Sequence, residues 1–209
     1  VAASEIRLRY LGIRDYIETW REMQAFTDAR DAHTADELWV LEHTPVYTQG
    51  LNGKAEHILN PGDIPVIHCD RGGQATYHGP GQLIVYTLID LRRKNLSVRA
   101  LVSALEDSAI DTLSQYGLQA SSRPDAPGVY VDGRKIGSVG IRVRRGCSYH
   151  GMSLNVAMDL APFAGINICG FPTLQATQIS ALDGPDKTLE VAVPFVARFA
   201  DLLSCQVVA

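Results

Sequence analysis

The chain has 209 residues, 46% of them hydrophobic and 20% charged, which is ample for a packed core and too apolar for a disordered chain. A formal net charge of -4 argues against a general nucleic-acid binder. No apolar run approaches the ~20 residues of a membrane span, and the opening Val1-Ala-Ala-Ser-Glu-Ile-Arg lacks the pattern of a secretory signal.

Taken in chain order, Glu5–Tyr10 alternates and predicts a short strand. Ile13, Tyr16, Ile17, Trp20 and Met23 recur at helical spacing and predict a helix to about Arg30. Leu38–Glu42 and Val46–Gln49 read as strands, and Val66–Cys69 as another. Asp70 to Gln82 holds four glycines and a proline and reads as a loop with special backbone angles. Leu83–Leu91 is a long strand, and Arg92-Arg93-Lys94-Asn95 a polar break. Ser97 suits an N-cap, with Leu101, Val102, Leu105, Ala109, Leu113 and Tyr116 as the helical stripe behind it and Gly117 as its stop. Asp132-Gly133 between apolar runs predicts a tight type I′ hairpin over Val129–Ile136. Gly137–Val143 and Ser148–Val156 read as strands. Leu189–Leu203 reads as a closing helix that must start near Pro194 or bend there. Mostly antiparallel strands, two longer helices and no strict βαβ alternation give an α+β class and one domain over 1–209.

Cys69, Cys147, Cys169 and Cys205 form neither a CxxC pair nor a zinc spacing, so they are expected to be thiols in a reducing compartment, the cytoplasm. The glycine loop is neither a phosphate loop ending in Gly-Lys-Ser/Thr nor a dinucleotide fingerprint, because a strand follows it; ligand loop and structural turn both fit. Cys169, in Ile166-Asn-Ile-Cys-Gly-Phe-Pro172, fits an exposed nucleophile with backbone N–H groups nearby, or a buried inert thiol. Lys135, just past the hairpin turn, fits a solvated surface residue, or a lysine held beside a thiol where it favours the thiolate. His78, His150, Asp70 and Asp125 lack a ligand spacing, so no metal is expected. The basic runs Arg92-Arg93-Lys94 and Arg142, Arg144, Arg145 fit solvated faces, or docking sites for acidic protein partners.

Four motifs occur in order: Arg71-Gly-Gly-Gln-Ala-Thr-Tyr-His-Gly-Pro-Gly-Gln82, Lys135-Ile-Gly-Ser-Val-Gly140, His150-Gly-Met-Ser-Leu-Asn155 and Asn167-Ile-Cys-Gly170. Together they resemble the lipoyl(octanoyl) transferases, densely from Leu38 to Gly170. The resemblance implies a biotin/lipoate protein ligase-like fold, with a mostly antiparallel central sheet and flanking helices. It implies transfer of an octanoyl group from octanoyl-acyl carrier protein to a lysine of apo lipoyl domains, those of 2-oxoacid dehydrogenase complexes and of the glycine cleavage H protein. No cofactor, nucleic acid or membrane is implied.

By the same resemblance Cys169 is the acyl-carrying nucleophile and Lys135 its partner. Arg71, Gly72, Gly73, Gln74, Ala75, Thr76, Tyr77 and His78 form the substrate-binding loop. Ser138, Val139, Gly140, Gly151, Met152 and Ser153 line the acyl site. The chain departs from the pattern at Ile168, where many relatives carry proline beside the nucleophile. An ATP-dependent lipoate or biotin ligase of the same fold is the nearest alternative, followed by a non-enzymatic acyl-binding protein and a thioesterase. A monomer is the default, since no coiled-coil pattern appears.

Overall fold

The computed structural model describes residues 4–209. In chain order the elements are β1 (Ser4–Arg14), α1 (Tyr16–Ala29), β2 (Asp36–His43), β3 (Val46–Gln49), β4 (Val66–His68), β5 (Ala75–His78), β6 (Gln82–Leu88), α2 (Val98–Gln115), β7 (Ser121–Ser122), β8 (Gly128–Val131), β9 (Arg134–Arg144), β10 (Cys147–Asn155), α3 (Thr188–Leu202) and β11 (Cys205–Val208). Eight strands form one sheet in the order β11-β1-β2-β6-β10-β9-β8-β7. β1 runs parallel to β11 and β2, and every other neighbouring pair is antiparallel. The expected α+β class with a mostly antiparallel sheet holds. A smaller sheet, β4-β3-β5, stands beside it.

Both faces of the large sheet are covered, which is why its central strands read as unbroken apolar runs. Along β2, Leu38 and Val40 point to the face covered by α2 and α3, into a core with Leu105, Phe195 and Phe199. Trp39 and Leu41 point the other way, joining Met23 of α1, Ile84 and Tyr86. This two-residue alternation is the pleat of the strand.

Helix boundaries follow local chemistry. Asp15 caps α1 by accepting from Glu18 N at 2.9 Å, and Ser97 caps α2 by accepting from Ala100 N at 3.1 Å. Ile13, read from its spacing as helical, lies instead in β1 and is exposed. The ladder to β2 runs on past a bulge at Gly12, as far as Arg14 opposite His43, and it overrides the helical period. Pro194 sits inside α3 without an N–H for Glu190 O; the Tyr116 hydroxyl donates to that carbonyl at 3.3 Å instead.

The segment read as one loop, Asp70 to Gln82, contains a strand. Ala75–His78 pairs antiparallel with Val46–Gln49, so the glycines flank β5 rather than fill a loop. The Asp132-Gly133 turn is as read, with φ of 50° and 75° at the two positions, and it sets Tyr130 opposite Lys135. β11 escaped the sequence reading because its only pairing is to β1, some 200 residues away. Among the described residues no helix is long and apolar enough to cross a membrane.

Candidate active site

Lys135 opens β9 and is only 2% exposed, against the surface reading of its sequence position. Its Nζ donates to Pro127 O at 2.8 Å, to the Tyr130 hydroxyl at 3.1 Å and to Cys169 Sγ at 3.1 Å. These three acceptors use the three N–H donors of an ammonium. Tyr130 spends its own proton on Ala126 O at 2.7 Å, which leaves its oxygen free to accept from Nζ. Gly128 makes room for the lysine: a Cβ there would stand 2.7 Å from Nζ and 2.5 Å from Gly137 O, at a φ of +136°.

Cys169 is partly exposed, in a short 3₁₀ turn at Ile168–Gly170. Its φ of 52° is left-handed, a conformation that costs a non-glycine residue roughly 1–2 kcal/mol. The turn is closed by Gly170 N–H to Asn167 O at 2.9 Å and Phe171 N–H to Ile168 O at 3.0 Å. Ile168, where many relatives carry proline, is buried with Tyr47, Tyr77 and Phe163, so apolar packing anchors the turn. Further on, Lys135 N–H donates to Gln175 O and Thr177 N–H donates to Lys135 O. The segment after the cysteine is thus bonded to the lysine's own peptide groups, which holds the two side chains in register.

A cavity leads inward from Cys169. Of the residues read as substrate-binding, Arg71, Gly73, Gln74, Ala75, Thr76, His78, Ser138, Val139, Gly140, Gly151, Met152 and Ser153 line it. Gly72 lies outside this wall, and the Tyr77 ring points away to pack on Tyr47 and Phe163. Alternation along β5 explains the split between Thr76 and His78 on one side and Tyr77 on the other. The glycine loop can lie across β9 because residue 140 has no side chain; a Cβ there would stand 2.9 Å from Gly72 O. Buried Arg71 pins the loop by donating to Thr48 O at 2.7 Å, Gln74 O at 2.8 Å and Gly72 O at 2.9 Å.

Tyr16, Ile84, Tyr86 and His150 also line the cavity, and of these only His150 stood in a recognisable motif. Tyr16 stacks on His78, and His43 bonds the Tyr86 hydroxyl at 2.7 Å. His150 reaches Asp70 Oδ1 at 3.0 Å, and that carboxylate also accepts from Trp20 Nε1 at 2.8 Å and from the Tyr149 hydroxyl. Burial would raise the Asp70 pKa, but the hydrogen bonds from His150, Tyr149 and Trp20 win and hold it well below the usual carboxylate range. Burial keeps all three histidines neutral: it lowers His150 despite Asp70, His78 well below its ordinary value, and His43 from 6.5 to about 4.

The folded protein therefore resists protonating these histidines while the unfolded chain takes up protons near pH 6.5. Their contribution to stability is complete above pH 6.5 and is lost as the pH falls from there toward 4. Asp70 acts in the same direction at lower pH, since its unfolded form protonates first. The melting temperature is expected to be flat from pH 8 to 7 and to fall steadily from 6.5 to 4. A flat profile down to pH 5 would mean that these rings are hydrated or charged in the folded state.

The basic runs are largely committed within the fold. Buried Asp36 takes Arg30 at 2.5 Å, Arg93 at 2.6 Å and Lys94 at 3.6 Å, and Arg144 pairs with Asp28 at 3.1 Å. Among the described residues no three His, Cys, Asp or Glu side chains are grouped to hold a metal ion.

A family model described as the lipoyl protein ligase A/B catalytic domain matches residues 15–200. An octanoyltransferase of Shewanella frigidimarina is 54% identical over 204 residues, covering 98% of this chain and 94% of that protein. A crystal structure of lipoate-protein ligase A bound with ATP superposes with a TM-score of 0.79 at 15% identity, covering 98% of this chain and 90% of that one. Biotin protein ligase from Aquifex aeolicus, in complex with biotin and ATP, superposes with a TM-score of 0.57 at 14% identity over 96% and 70%. At such identities the two structures establish the shared fold.

Proposed function

The chain belongs to the lipoyl protein ligase A/B catalytic family and is an acyltransferase, and we propose that it moves an octanoyl group from an acyl carrier protein thioester to a lysine of an apo lipoyl domain through a thioester on Cys169. The 3.1 Å contact of Lys135 Nζ with Cys169 Sγ carries this reading, because it joins a partly exposed thiol to a buried lysine that forms no salt bridge among the described residues. The lipoyl domains of 2-oxoacid dehydrogenase complexes and the glycine cleavage H protein are the acceptor class, and the cytoplasm, a reducing compartment, suits a working thiolate.

In the first half, the Cys169 thiolate attacks the donor carbonyl. The new C–S bond forms, the carrier's C–S bond breaks, and the departing thiolate takes a proton from the Lys135 ammonium. In the second half, the neutral amine of the acceptor lysine attacks the octanoyl thioester. The amide bond forms, Cys169 leaves as thiolate, and the proton lost from the amine nitrogen returns to Lys135. The ion pair is restored, so the cycle needs no outside acid or base. A thioester exchanged for a thioester is nearly balanced, and the amide drives the second half without ATP.

The tetrahedral intermediate of each half carries an oxyanion. Backbone N–H groups of Gly170 and Phe171 are already bonded within the cysteine turn. The carboxamide of Gln74 lies against Gly170, where any side chain would run into it, and its oxygen has no partner in the protein. Rotation about its last bond would present N–H to the oxyanion. Gln74→Ala is expected to lower kcat by about 10²-fold with little change in donor KM. A KM effect alone would reduce Gln74 to a binding residue.

The test of the whole reading is the intact mass of the protein after incubation with octanoyl-carrier protein, without ATP and without acceptor. A gain of one octanoyl group, removed by hydroxylamine, is expected. Labelling that appears only with free octanoate and ATP would move the assignment to a ligase.

A further inference from the structure

Cys169 stands at the junction of two spaces. One is the inward cavity beside Ile84, Tyr86 and Met152. The other is an open groove on the far side of the glycine loop. Gly73, Gln74, Val139, Gly140 and Cys169 line both. The groove's other walls include the face of α2 that carries Val98 and Val102, one turn apart, the 125–127 segment, Phe171 and Asn52. Val98 and Phe171 are left 44% and 39% exposed.

A thioester carbonyl carries its acyl chain and its thiol arm on opposite sides. With Cys169 as nucleophile and the acyl chain in the inward cavity, the thiol arm must leave through the other space that the sulfur lines. We propose that this groove binds the thiol arm of the acyl donor, a long, thin chain of methylenes and amides of the pantetheine type. Its chemistry suits such a chain: Val98, Val102, Pro127 and Phe171 match the methylenes, and Asn52 offers a carboxamide to the amide groups. The inference rests on the Cys169 thioester reading and adds to it which side of the nucleophile each half of the donor occupies.

The test compares two donors of the same acyl group: S-octanoyl-pantetheine, and the octanoyl thioester of 2-mercaptoethanol, whose arm is too short to fill the groove. Adduct formation is followed by intact mass without acceptor. In the native protein the long arm is expected to raise acylation efficiency about tenfold or more. Val98→Trp, an exposed first-turn position of α2, fills the groove and should remove that advantage while leaving the short donor's rate and the melting temperature unchanged. Phe171→Ala, which strips a wall instead, should cause the same selective loss. An adduct that forms equally well from both donors, or variants that slow both donors alike, would overturn the groove assignment and leave the Cys169 reading standing. No adduct from either donor would overturn both.

Discussion

Replacing Cys169 by serine is expected to abolish the hydroxylamine-labile adduct and to lower octanoyl transfer by on the order of 10⁴-fold or more, the scale on which loss of a covalent nucleophile is felt. The variant should fold normally. The residue is partly exposed, the change keeps its shape, and the turn is held by the backbone bonds at Asn167 and Ile168 and by burial of Ile168, none of which involves the sulfur. What disappears on the proposed mechanism is the sulfur nucleophile, since a serine hydroxyl is far harder to deprotonate than a thiol.

The chain contains its own control for mere proximity. Cys205 Sγ lies 3.0 Å from Lys94 Nζ, as close as Cys169 is to Lys135, but it sits in β11 and lines neither the cavity nor the groove. Cys69 and Cys147 are buried, and burial pushes the Cys147 thiol pKa up. All of the octanoyl label should therefore map to residue 169. Label on Cys205 in the native protein, or a surviving adduct in Cys169→Ser, would defeat the assignment.

The fold was legible wherever local chemistry decides it. Ser97 and Gly117 bracket α2, and the Asp132-Gly133 pair fixes a hairpin whose register already places Tyr130 opposite Lys135. It was illegible where distant pairing decides. Ile13 belongs to a strand because β2 holds it there, β5 hides among glycines, and β11 exists only against β1. The site divides in the same way. The glycine loop, Lys135 and Cys169 sit in motifs, and the fold brings the last two together across 34 residues of chain. Tyr16, His43 and Tyr86 sit in no motif. They meet because α1 covers the face of the sheet to which His43 of β2 and Tyr86 of β6 both point, a fact that only the strand order supplies. The basic runs show the opposite limit: their charge was plain in the sequence, but their partner, Asp36, lies some 57 residues away from Arg93 and is buried.

Replacing Lys135 by methionine is expected to slow both halves of the reaction by about 10²–10⁴-fold, the usual worth of a positioned acid–base group. Both halves should suffer, because in the proposed mechanism the same Nζ gives a proton to the departing thiolate and takes one from the attacking amine. Single-turnover acylation and the discharge of pre-formed octanoyl-enzyme onto an acceptor measure them separately. The variant should not be less stable. The native ammonium is 2% exposed, forms no salt bridge among the described residues, with the Glu106 carboxylate near enough only to feel its charge, and is held by two neutral oxygens and a sulfur. Its desolvation is costly, and a methionine of similar length removes that cost while filling most of the space beside Gly128. A melting temperature equal to or above that of the native protein, with both steps slowed, is the signature of a charge kept in the core for chemistry. Slow acylation with normal discharge would confine Lys135 to stabilising the thiolate, and the acceptor's proton would then have to leave by another group. Normal rates in both steps, with a loss of stability, would make it a structural residue and leave the 3.1 Å contact without a role.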